Sequence, residues 1–417
     1  MRKIFINISR GYKILSYYDF AYNDLYKNYN IETYLFFDKT KSKNKDMQLL
    51  HNYAYKIFFY DSKLDLLNQL KKINREEIYY INTFDELLVL LLNEVKLELG
   101  FQVSKHYKAF RDKNLQREIL SKTYPETTVK SFEVDLLSGD IDSFYNKINF
   151  PYIIKPASGI QSSGVEIVNS KIDLETYIKN NVELDKNMLS RGINNSKYLI
   201  EEFIDGEMYT VNYFVNSIGE VFYSPIVKVN STRKLGINDF SNYVRINGSI
   251  IDNEIESDIV KIFIEKHIKA FDIKNTFIHH EFKLNSGGIL KTIELNARIG
   301  GYRLEMIQEL YGFNLLTMPI GKTLVHNVEF SNAVFVFYPE MKGIFKGFNS
   351  ELLNKFKSLN SYNHIRLSNN YIGNEIGLTK DGFSSIAALR IINKDLEQFK
   401  NDYEFIEKNY KNLIILQ

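Results

Sequence analysis

Over residues 1–104, short continuous runs of apolar residues alternate with longer amphipathic segments. Runs such as KIFINI (3–8) and TYLFF (33–37) predict buried strands, and similar runs follow at 55–61 and 77–82. The segments between them repeat apolar residues with a helical period and predict helices near 16–28, 63–72 and 84–99. Strands that alternate with helices predict an open, parallel α/β domain. The domain lacks the GxGxxG sequence, so a dinucleotide site is not indicated.

A second domain is predicted over residues 105–324. FRDKNLQREILSKTYPET, near its start, predicts a helix that ends at Pro125. A small α/β unit follows at about 126–200, and within it a glycine-containing loop joins two apolar runs. Two further strands are expected to be joined through Asp205-Gly206, and GEVFYSPIVKV is expected to continue them as a meander.

The end of this domain is predicted to form a helix followed by a β-hairpin. Residues 254–271 have a helical period, and the strands FIHHEFKLN and ILKTIELNA are connected through Gly287-Gly288. Residues 325–417 alternate shorter strand-like and helix-like pieces and predict a small C-terminal α+β domain. The predicted fold class is therefore α/β with an α+β core, in three domains.

Composition narrows the functions that such a chain can have. The 417 residues carry 53 basic and 51 acidic side chains, and a net charge of +2 gives no field to attract nucleic acid or anionic lipid. The chain has no cysteine, which excludes thiol catalysis, disulfides and cysteine-ligated zinc. The apolar run at Ile4–Ile8 is too short for a secretion signal, and no run approaches the ~18 residues of a membrane span. A cytoplasmic protein without nucleic-acid or membrane partners is expected.

Candidate chemistry begins at PYIIKPASGIQSSGVEIVNS (151–170). Gly159 and Gly164 have the spacing of a phosphate-binding P-loop, but the Lys and Ser or Thr of that loop are absent after Gly164. GVEIV alternates like a strand, so the loop joins two strands and can fold over a triphosphate with its N–H groups inward. Lys155, at the end of the first strand, would add a positive charge there. Spacing alone does not separate this flap from an ordinary hairpin with a surface lysine.

A second set of candidates lies on the C-terminal hairpin of the same domain. Glu294 and Asn296 are two residues apart and share one face of a strand, and the turn can bring Glu281 onto that face. Two carboxylates and an amide oxygen suit Mg²⁺. Placed against Arg298 and the flexible Gly300-Gly301, such a metal site could hold and neutralise a transferring phosphoryl group. The alternative is a polar strand edge facing solvent. Alternation with Ile293, Leu295 and Ala297, which are expected to face the core, disfavours that alternative.

These motifs, in this order, resemble the ATP-grasp superfamily over roughly residues 105–320. The resemblance implies a mobile lid at about 126–200, phosphate-binding lysines at Lys113 and Lys155, and a catalytic, substrate-binding Arg298 in ELNARIGG. It implies one or two Mg²⁺ ions, replaceable by Mn²⁺, on Glu281, Glu294 and Asn296. The other residues implied to bind ATP come from the lid loop, from the hinge LIEEFIDGE and from a loop expected to cover the γ-phosphate: Ser158, Gly159, Ser163, Gly164, Glu201, Glu202, Phe203, Ile204, Glu207 and Lys228.

One position departs from the pattern of that superfamily. Relatives commonly place a ribose-binding glutamate where this chain has Met208, and Glu207 lies one residue earlier. A shift of one residue turns a side chain to the other face of a regular strand, so Glu207 can bind ribose only if the turn is irregular. His279 shares a face with Glu281 and is a substrate-binding candidate together with Gly300 and Gly301, whereas His280 would face away.

The layout of the whole chain looks most like carboxylate–amine ligases, especially the L-amino acid ligases that form dipeptides. The resemblance implies that ATP phosphorylates a carboxylate to an acyl phosphate, which an amine attacks with release of ADP and phosphate. It also implies small-molecule substrates, and a homodimer is one state that the family often adopts. Two alternatives stay open: ligation of a carboxylate to an amine other than an amino acid, and a non-catalytic nucleotide-binding regulator.

Overall fold

A computed structural model describes residues 3–11, 13–41, 54–135, 149–157, 164–190, 197–251, 254–325, 329–379 and 385–417. At its N-terminal end, four parallel strands of the described chain form a sheet in the order β3-β2-β1-β4. This confirms the parallel α/β prediction. The strands are β1 (Lys3–Ser9), β2 (Ile31–Asp38), β3 (Tyr55–Tyr60) and β4 (Ile78–Asn82), with helices α1 (Lys13–Tyr29), α2 (Lys63–Leu70) and α3 (Val89–Glu98).

The second sheet is small and antiparallel, and it lies in the region for which a lid is predicted; it is called the lid sheet below. Its described strands have the order β5-β8-β6-β7. They are β5 (Ser131–Asp135), β6 (Tyr152–Pro156), β7 (Glu166–Val168) and β8 (Lys197–Glu202), preceded by α4 (Lys113–Thr123) and accompanied by α5 (Lys171–Ser190). The segment GVEIV therefore contains a strand, as its alternation predicted, and the glycine-containing loop joins β6 to β7.

The third and largest sheet is the centre of the molecule. In the described part of the chain it has the order β14-β13-β9-β11-β12-β15-β19-β17, with β10 paired to β9. Its first members are β9 (Glu207–Val215), β10 (Val221–Tyr223), β11 (Val227–Ser231), β12 (Asn242–Gly248), β13 (Thr276–Leu284) and β14 (Leu290–Asn296), with α6 (Ser257–Phe271) before β13 and α7 (Arg303–Tyr311) after β14.

The C-terminal residues extend this central sheet. Strand β15 pairs with β12, so the sheet continues across the predicted boundary near residue 325, which stays a prediction. A separate small sheet has the order β18-β16-β20. The elements are β15 (Ser331–Phe337), β16 (Gly343–Phe348), α8 (Ser350–Lys357), β17 (Tyr362–Leu367), β18 (Glu375–Ile376), β19 (Ala387–Asn393), α9 (Leu396–Lys408) and β20 (Ile414–Leu416). None of the helices within the described ranges is both long and apolar enough to cross a bilayer.

The segment around Asp205-Gly206 joins two strands, as predicted, but these strands do not pair with each other. Strand β8 belongs to the lid sheet, whereas β9 pairs with β13 and β11 in the central sheet. Gly206 has φ +84°, and a Cβ there would lie 2.1 Å from the carbonyl oxygen of Leu284. Glycine is required at this position because the chain leaves one sheet for the other in close contact with β13. The segment is therefore a hinge between the lid and the core.

The two faces of β9 explain where the cleft forms. Tyr209, Val211 and Tyr213 are buried on one face, in the apolar cluster that includes residues of α4 and α6. The alternate residues Thr210 and Asn212 point to the other face, where they bond polar groups of β13 and α7. The period of two in a strand therefore separates an apolar core from a polar face that supports the site.

Candidate active site

A cleft of about 650 Å³ lies between the lid, the hinge, the central sheet and the loop that follows β4. Its walls include Lys113, Lys155, the hinge residues from Glu201 to Met208 other than Asp205, the C-terminal hairpin and Arg298. The two predicted phosphate lysines, the hinge and the predicted metal ligands thus come together at one cavity although they are far apart in sequence.

The hairpin of β13 and β14 brings the predicted metal ligands onto one face. Glu281 is opposite Glu294, and His279 is opposite Asn296. A β-bulge at this point leaves Ile293 without a register partner, and Ile293 lines the cleft. The expectation that Ile293 faces the core is wrong, because a bulge inserts one extra residue and reverses the direction of its side chain.

The chemistry of this face fits a magnesium ion. Asn296 is 2% exposed, and its Oδ1 is buried without a hydrogen-bond partner. A buried, unpaired amide oxygen is costly unless a ligand satisfies it. Within the described ranges no cluster of three or more His, Cys, Asp or Glu side chains could hold a metal. This set instead combines two carboxylates with an amide, and phosphate and water would complete the six ligands of Mg²⁺.

Lys113 is already placed beside this face. It is the first residue of α4, which Asp112 caps by accepting a hydrogen bond from Leu115 N. Its Nζ lies 2.7 Å from Glu294 Oε1. Burial alone would raise the pKa of Glu294, but the charge of Lys113 outweighs burial and lowers that pKa to about 2. Glu294 is therefore ionised at neutral pH, as a metal ligand must be.

A buried charge cluster holds the second phosphate lysine. Both oxygens of Glu201 are used, one 2.7 Å from Arg117 Nε and the other 2.6 Å from Lys155 Nζ. Burial lowers the pKa of Lys155, and Glu201 opposes that effect. Each oxygen of Glu201 thus contacts one of these two cations. We infer that Glu201 orients Lys155 through this contact. Arg117 was not predicted, although it lies one helical turn after Lys113 on α4.

Arg298 is held by a residue of the N-terminal domain. Its Nη2 lies 2.7 Å from Glu86 Oε2, and Arg111 bonds the other oxygen of the same carboxylate. Burial alone would lower the pKa of Arg298, but Glu86 more than compensates and raises it. Glu86 lies in a 3₁₀ turn (Glu86–Leu88) that Asp85 caps. Glu86 was not predicted as a site residue, because an acidic residue at the start of a helix commonly serves only to stabilise that helix end.

His279 and Gly300 occupy one tight contact behind the metal face. His279 Nε2 lies 3.2 Å from Glu281 Oε1, and Asn212 Oδ1 lies 3.2 Å from Nδ1 of the ring. The same amide oxygen accepts a hydrogen bond from Gly300 N at 2.9 Å. A Cβ on Gly300 would come within 2.5 Å of the imidazole, so glycine is required there by close packing. Burial lowers the pKa of His279 although Glu281 opposes it, which favours a neutral ring.

His280 points away from the cleft, as the alternation of β13 predicted. It is fully buried, and its Nε2 lies 3.1 Å from Thr292 Oγ1, which also bonds His267 Nε2 at 2.6 Å. Burial lowers the pKa of His267 to about 4, so this pair is neutral and belongs to the core.

The hinge and the neighbouring lysines differ in part from the prediction. Strand β9 is regular from Glu207, and alternation places Glu207 on the face opposite Met208. Glu207 borders the cleft and is bonded to Lys234, 2.7 Å away. Lys228, expected on a mobile loop, lies in β11 because its neighbours extend the sheet, and its Nζ contacts Glu254 at 2.6 Å. Lys234 lines the cleft in its place.

The other predicted residues are placed less fully. Glu202 accepts a hydrogen bond from Lys130 N at 2.8 Å, and Ile204 O accepts one from Lys283 Nζ at 2.7 Å. Phe203 is partly exposed beneath that ammonium. Gly164 has φ +73°, and Gly301 lines the cleft. Three predicted lid residues, Ser158, Gly159 and Ser163, lie outside the described residues.

The fold and the site can now be compared with known proteins. Residues 148–305 match the family described as the ATP-grasp domain. The chain therefore contains an ATP-grasp domain, which confirms the predicted superfamily. A comparison with curated proteins gives no match.

Solved structures with the same fold cover almost the entire chain. An L-amino acid ligase from Bacillus licheniformis is similar with a TM-score of 0.71 and 17% identity, over 100% of this chain and 99% of that one. An N5-carboxyaminoimidazole synthetase from Staphylococcus aureus, in complex with ADP, has a TM-score of 0.64 and 14% identity, over 98% and 99%. The biotin carboxylase domain of a 2-oxoglutarate carboxylase from Hydrogenobacter thermophilus, in complex with magnesium ADP, has 0.62 and 14%, over 97% and 90%. At these identities the likeness shows the fold, which is the fold class that the sequence predicted.

Proposed function

We propose that this protein is an ATP-dependent ligase that joins a carboxylate, as in an amino acid, to an amine through an acyl phosphate. The observation that carries the proposal is the arrangement of one cleft. Lys113, Lys155, Glu281, Glu294 and Arg298 all line it, and Lys113 Nζ lies 2.7 Å from Glu294 Oε1. A site of this kind places positive charge around the terminal phosphates of a nucleotide and leaves a cation for the group that receives phosphate.

The residues have separate roles in the proposed reaction. Lys113 and Lys155 bind the phosphates of ATP, and the Glu201–Arg117 contact keeps Lys155 in place. Glu281 and Glu294 with Asn296 would hold Mg²⁺, which supplies charge neutralisation to the transferring phosphoryl group. Arg298 binds the carboxylate that is activated and then the acyl phosphate.

Arg298 is suited to this role because Glu86 orients it. One oxygen of the Glu86 carboxylate accepts from Arg298 and the other accepts from Arg111. The ion pair with Glu86 therefore fixes the orientation of the Arg298 guanidinium. Other N–H groups of Arg298 can then bond two anionic oxygens at once. The substrate carboxylate attacks the γ-phosphorus, ADP leaves, and an uncharged amine attacks the acyl carbon with expulsion of phosphate. No covalent enzyme intermediate is needed, and the chain has no cysteine to form a thioester.

Hydroxylamine trapping tests this proposal directly. The protein is incubated with Mg²⁺, ATP, hydroxylamine and each of the common amino acids in turn, and hydroxamate and nucleotide products are measured. We expect a hydroxamate and ADP with the right acid, and neither product from Glu294→Gln, which lacks one charge of the metal face. Release of AMP and pyrophosphate, or amide formation without any acyl phosphate that can be trapped, would contradict the mechanism.

Ligation to an amine other than an amino acid is the second candidate within this class. It shares every step up to the acyl phosphate and differs only in the acceptor. The same assay separates it, because the hydroxamate would form while no amino acid accelerates ADP release. A regulator without catalysis would bind ATP but release no ADP with any acid.

A further inference from the structure

Two arginines of the cleft have no carboxylate partner among the described residues. Arg245, on β12, and Arg303, the first residue of α7, both line the cavity. Five other cations of the cleft, Arg10, Lys113, Lys155, Lys234 and Arg298, each lie within 2.7 Å of a carboxylate oxygen. Lys283 also lines the cleft without an ion pair to a described residue, but its ammonium donates to Ile204 O of the hinge at 2.7 Å. Arg245 and Arg303 are therefore the arginines of the cleft that lack a carboxylate partner among the described residues.

The contacts of these two arginines are with neutral groups. Arg303 is 2% exposed, and it donates to Thr210 Oγ1 at 2.8 Å and to Gly301 O at 3.2 Å. Arg245 donates to Asn242 O at 2.9 Å, and its guanidinium lies 5.1 Å from the centre of the Tyr302 ring. Neutral contacts orient a guanidinium but do not neutralise it. Burial, followed by the charge of Arg245, lowers the pKa of Arg303 to about 9, although the charge of Glu281, which forms no ion pair with it, opposes the shift.

A buried charge without a counter-ion is unfavourable, and an anion that binds beside it relieves that cost. The anions of the proposed reaction are otherwise accounted for. The two lysines and the metal face receive the phosphates of ATP, and Arg298 receives the carboxylate that is activated. Arg245 and Arg303 are left for a further anionic group. The start of α7 adds the positive end of a nine-residue helix on the same side.

We propose that Arg245 and Arg303 form a subsite for a carboxylate that a substrate keeps through the reaction. This inference rests on the proposed ligase function and makes it more specific. The group can be the free carboxylate of an amino acid that acts as acceptor, or a second carboxylate on the donor. In both cases the amide product keeps one carboxylate that takes no part in the reaction and therefore remains negatively charged. If the acceptor were a polyamine or an amino sugar without a carboxylate, and the donor had only the carboxylate that is activated, no group would occupy the subsite.

The test compares matched substrates in wild-type protein and in Arg245→Gln, Arg303→Gln and Arg303→Lys. Acceptor-dependent ADP release is measured with an amino acid and with its amide, and with a donor that has or lacks a second carboxylate. We expect the wild type to have a KM ~10-fold or more higher for the partner that lacks the extra carboxylate, since hydrogen bonds between charged groups are lost. This ratio should fall towards 1 in both glutamine variants. If Arg303→Gln does not fold, Arg245→Gln and Arg303→Lys carry the test.

Arg366→Gln is the matched control. Arg366 lies 5.6 Å from the same Tyr302 ring, but it pairs with Glu305 and does not line the cleft. It should keep the preference of the wild type. If the variants lose only the preference for the amino acid over its amide, the subsite binds the carboxylate of the acceptor. If they lose only the preference for the donor with a second carboxylate, the subsite binds the donor. A wild-type protein that traps the acyl phosphate with hydroxylamine but shows neither preference would overturn the subsite while leaving the ligase function intact. A failure to form any hydroxamate would instead overturn the proposed function itself.

Discussion

Replacing Glu201 by glutamine tests whether the buried charge cluster under the lid stabilises the protein. Glu201 is 3% exposed, and its carboxylate lies between Arg117 Nε at 2.7 Å and Lys155 Nζ at 2.6 Å. Glutamine keeps the size of the side chain but removes its charge. The two cations would then face each other in a buried site without the carboxylate between them, and we expect the fold to lose stability.

The magnitude follows from the ionisation of Glu201. Burial alone would raise its pKa, but the charges of Arg117 and Lys155 lower it from 4.5 to about 2. At ~1.4 kcal/mol per pKa unit, this corresponds to ~3 kcal/mol in favour of the charged form. Burial also lowers the pKa of Lys155, so the lysine itself opposes folding, and ~3 kcal/mol is an upper value for the whole cluster. Because the pKa of Glu201 is lower in the folded state, this stabilisation is complete above about pH 4.5 and is lost as the pH falls towards 2.

The free energy of unfolding can be measured by urea titration with tyrosine fluorescence, since the chain has 29 tyrosines and no tryptophan. At pH 7 the Glu201→Gln variant should be less stable by up to ~3 kcal/mol in the transition that unfolds the lid and its hinge. At pH 3 the difference should fall below half of its value at pH 7. Glu202→Gln is the control, because Glu202 accepts a hydrogen bond from Lys130 N and glutamine keeps an acceptor. Equal stability of Glu201→Gln and wild type at pH 7, or a difference that does not change with pH, would refute the argument.

Further predictions concern the phosphate and metal residues and the glycine pair. Lys113→Ala should weaken ATP binding at least ~10-fold in calorimetry, because it removes a phosphate cation and frees Glu294 to repel the nucleotide. Glu294→Gln should lose turnover by ~100-fold or more while it still binds nucleotide, since the metal charge acts mainly on the transition state. Gly300→Ala should lower the free energy of unfolding by ~1–3 kcal/mol, because its Cβ would meet the His279 ring at 2.5 Å. Gly301→Ala should leave stability nearly unchanged, since a Cβ there has no neighbour within 4 Å.

Each of these predictions has a contradicting result. Wild-type affinity for ATP in Lys113→Ala would remove this lysine from the phosphate site. Full activity of Glu294→Gln with Mg²⁺ would exclude the hairpin as the metal site. Thermal unfolding of Gly300→Ala at the temperature of Gly301→Ala would mean that the contact with His279 is not tight.

Local periodicity was enough to predict most elements and the residues that carry chemistry within one element. The parallel N-terminal sheet followed from strands and helices that alternate, and the pairing of Glu281 with Glu294 followed from a hairpin with a glycine turn. A period of two or 3.6 residues fixes which side chains share a face, and that information is contained in a short stretch of sequence. The opposite orientations of His279 and His280 could be predicted for the same reason.

The residues that hold this chemistry in place were decided by the tertiary structure. Glu86 reaches Arg298 across 212 positions, and Glu201 reaches Arg117 across 84. The bulge that turns Ile293 into the cleft and the hinge that sends β8 and β9 into different sheets likewise depend on which strands pair. No short stretch of sequence contains these contacts, because they arise only when separate sheets pack against each other. The sequence alone thus determined the groups that can bind phosphate and metal, and packing determined which of them are oriented, neutralised or left for a further anion.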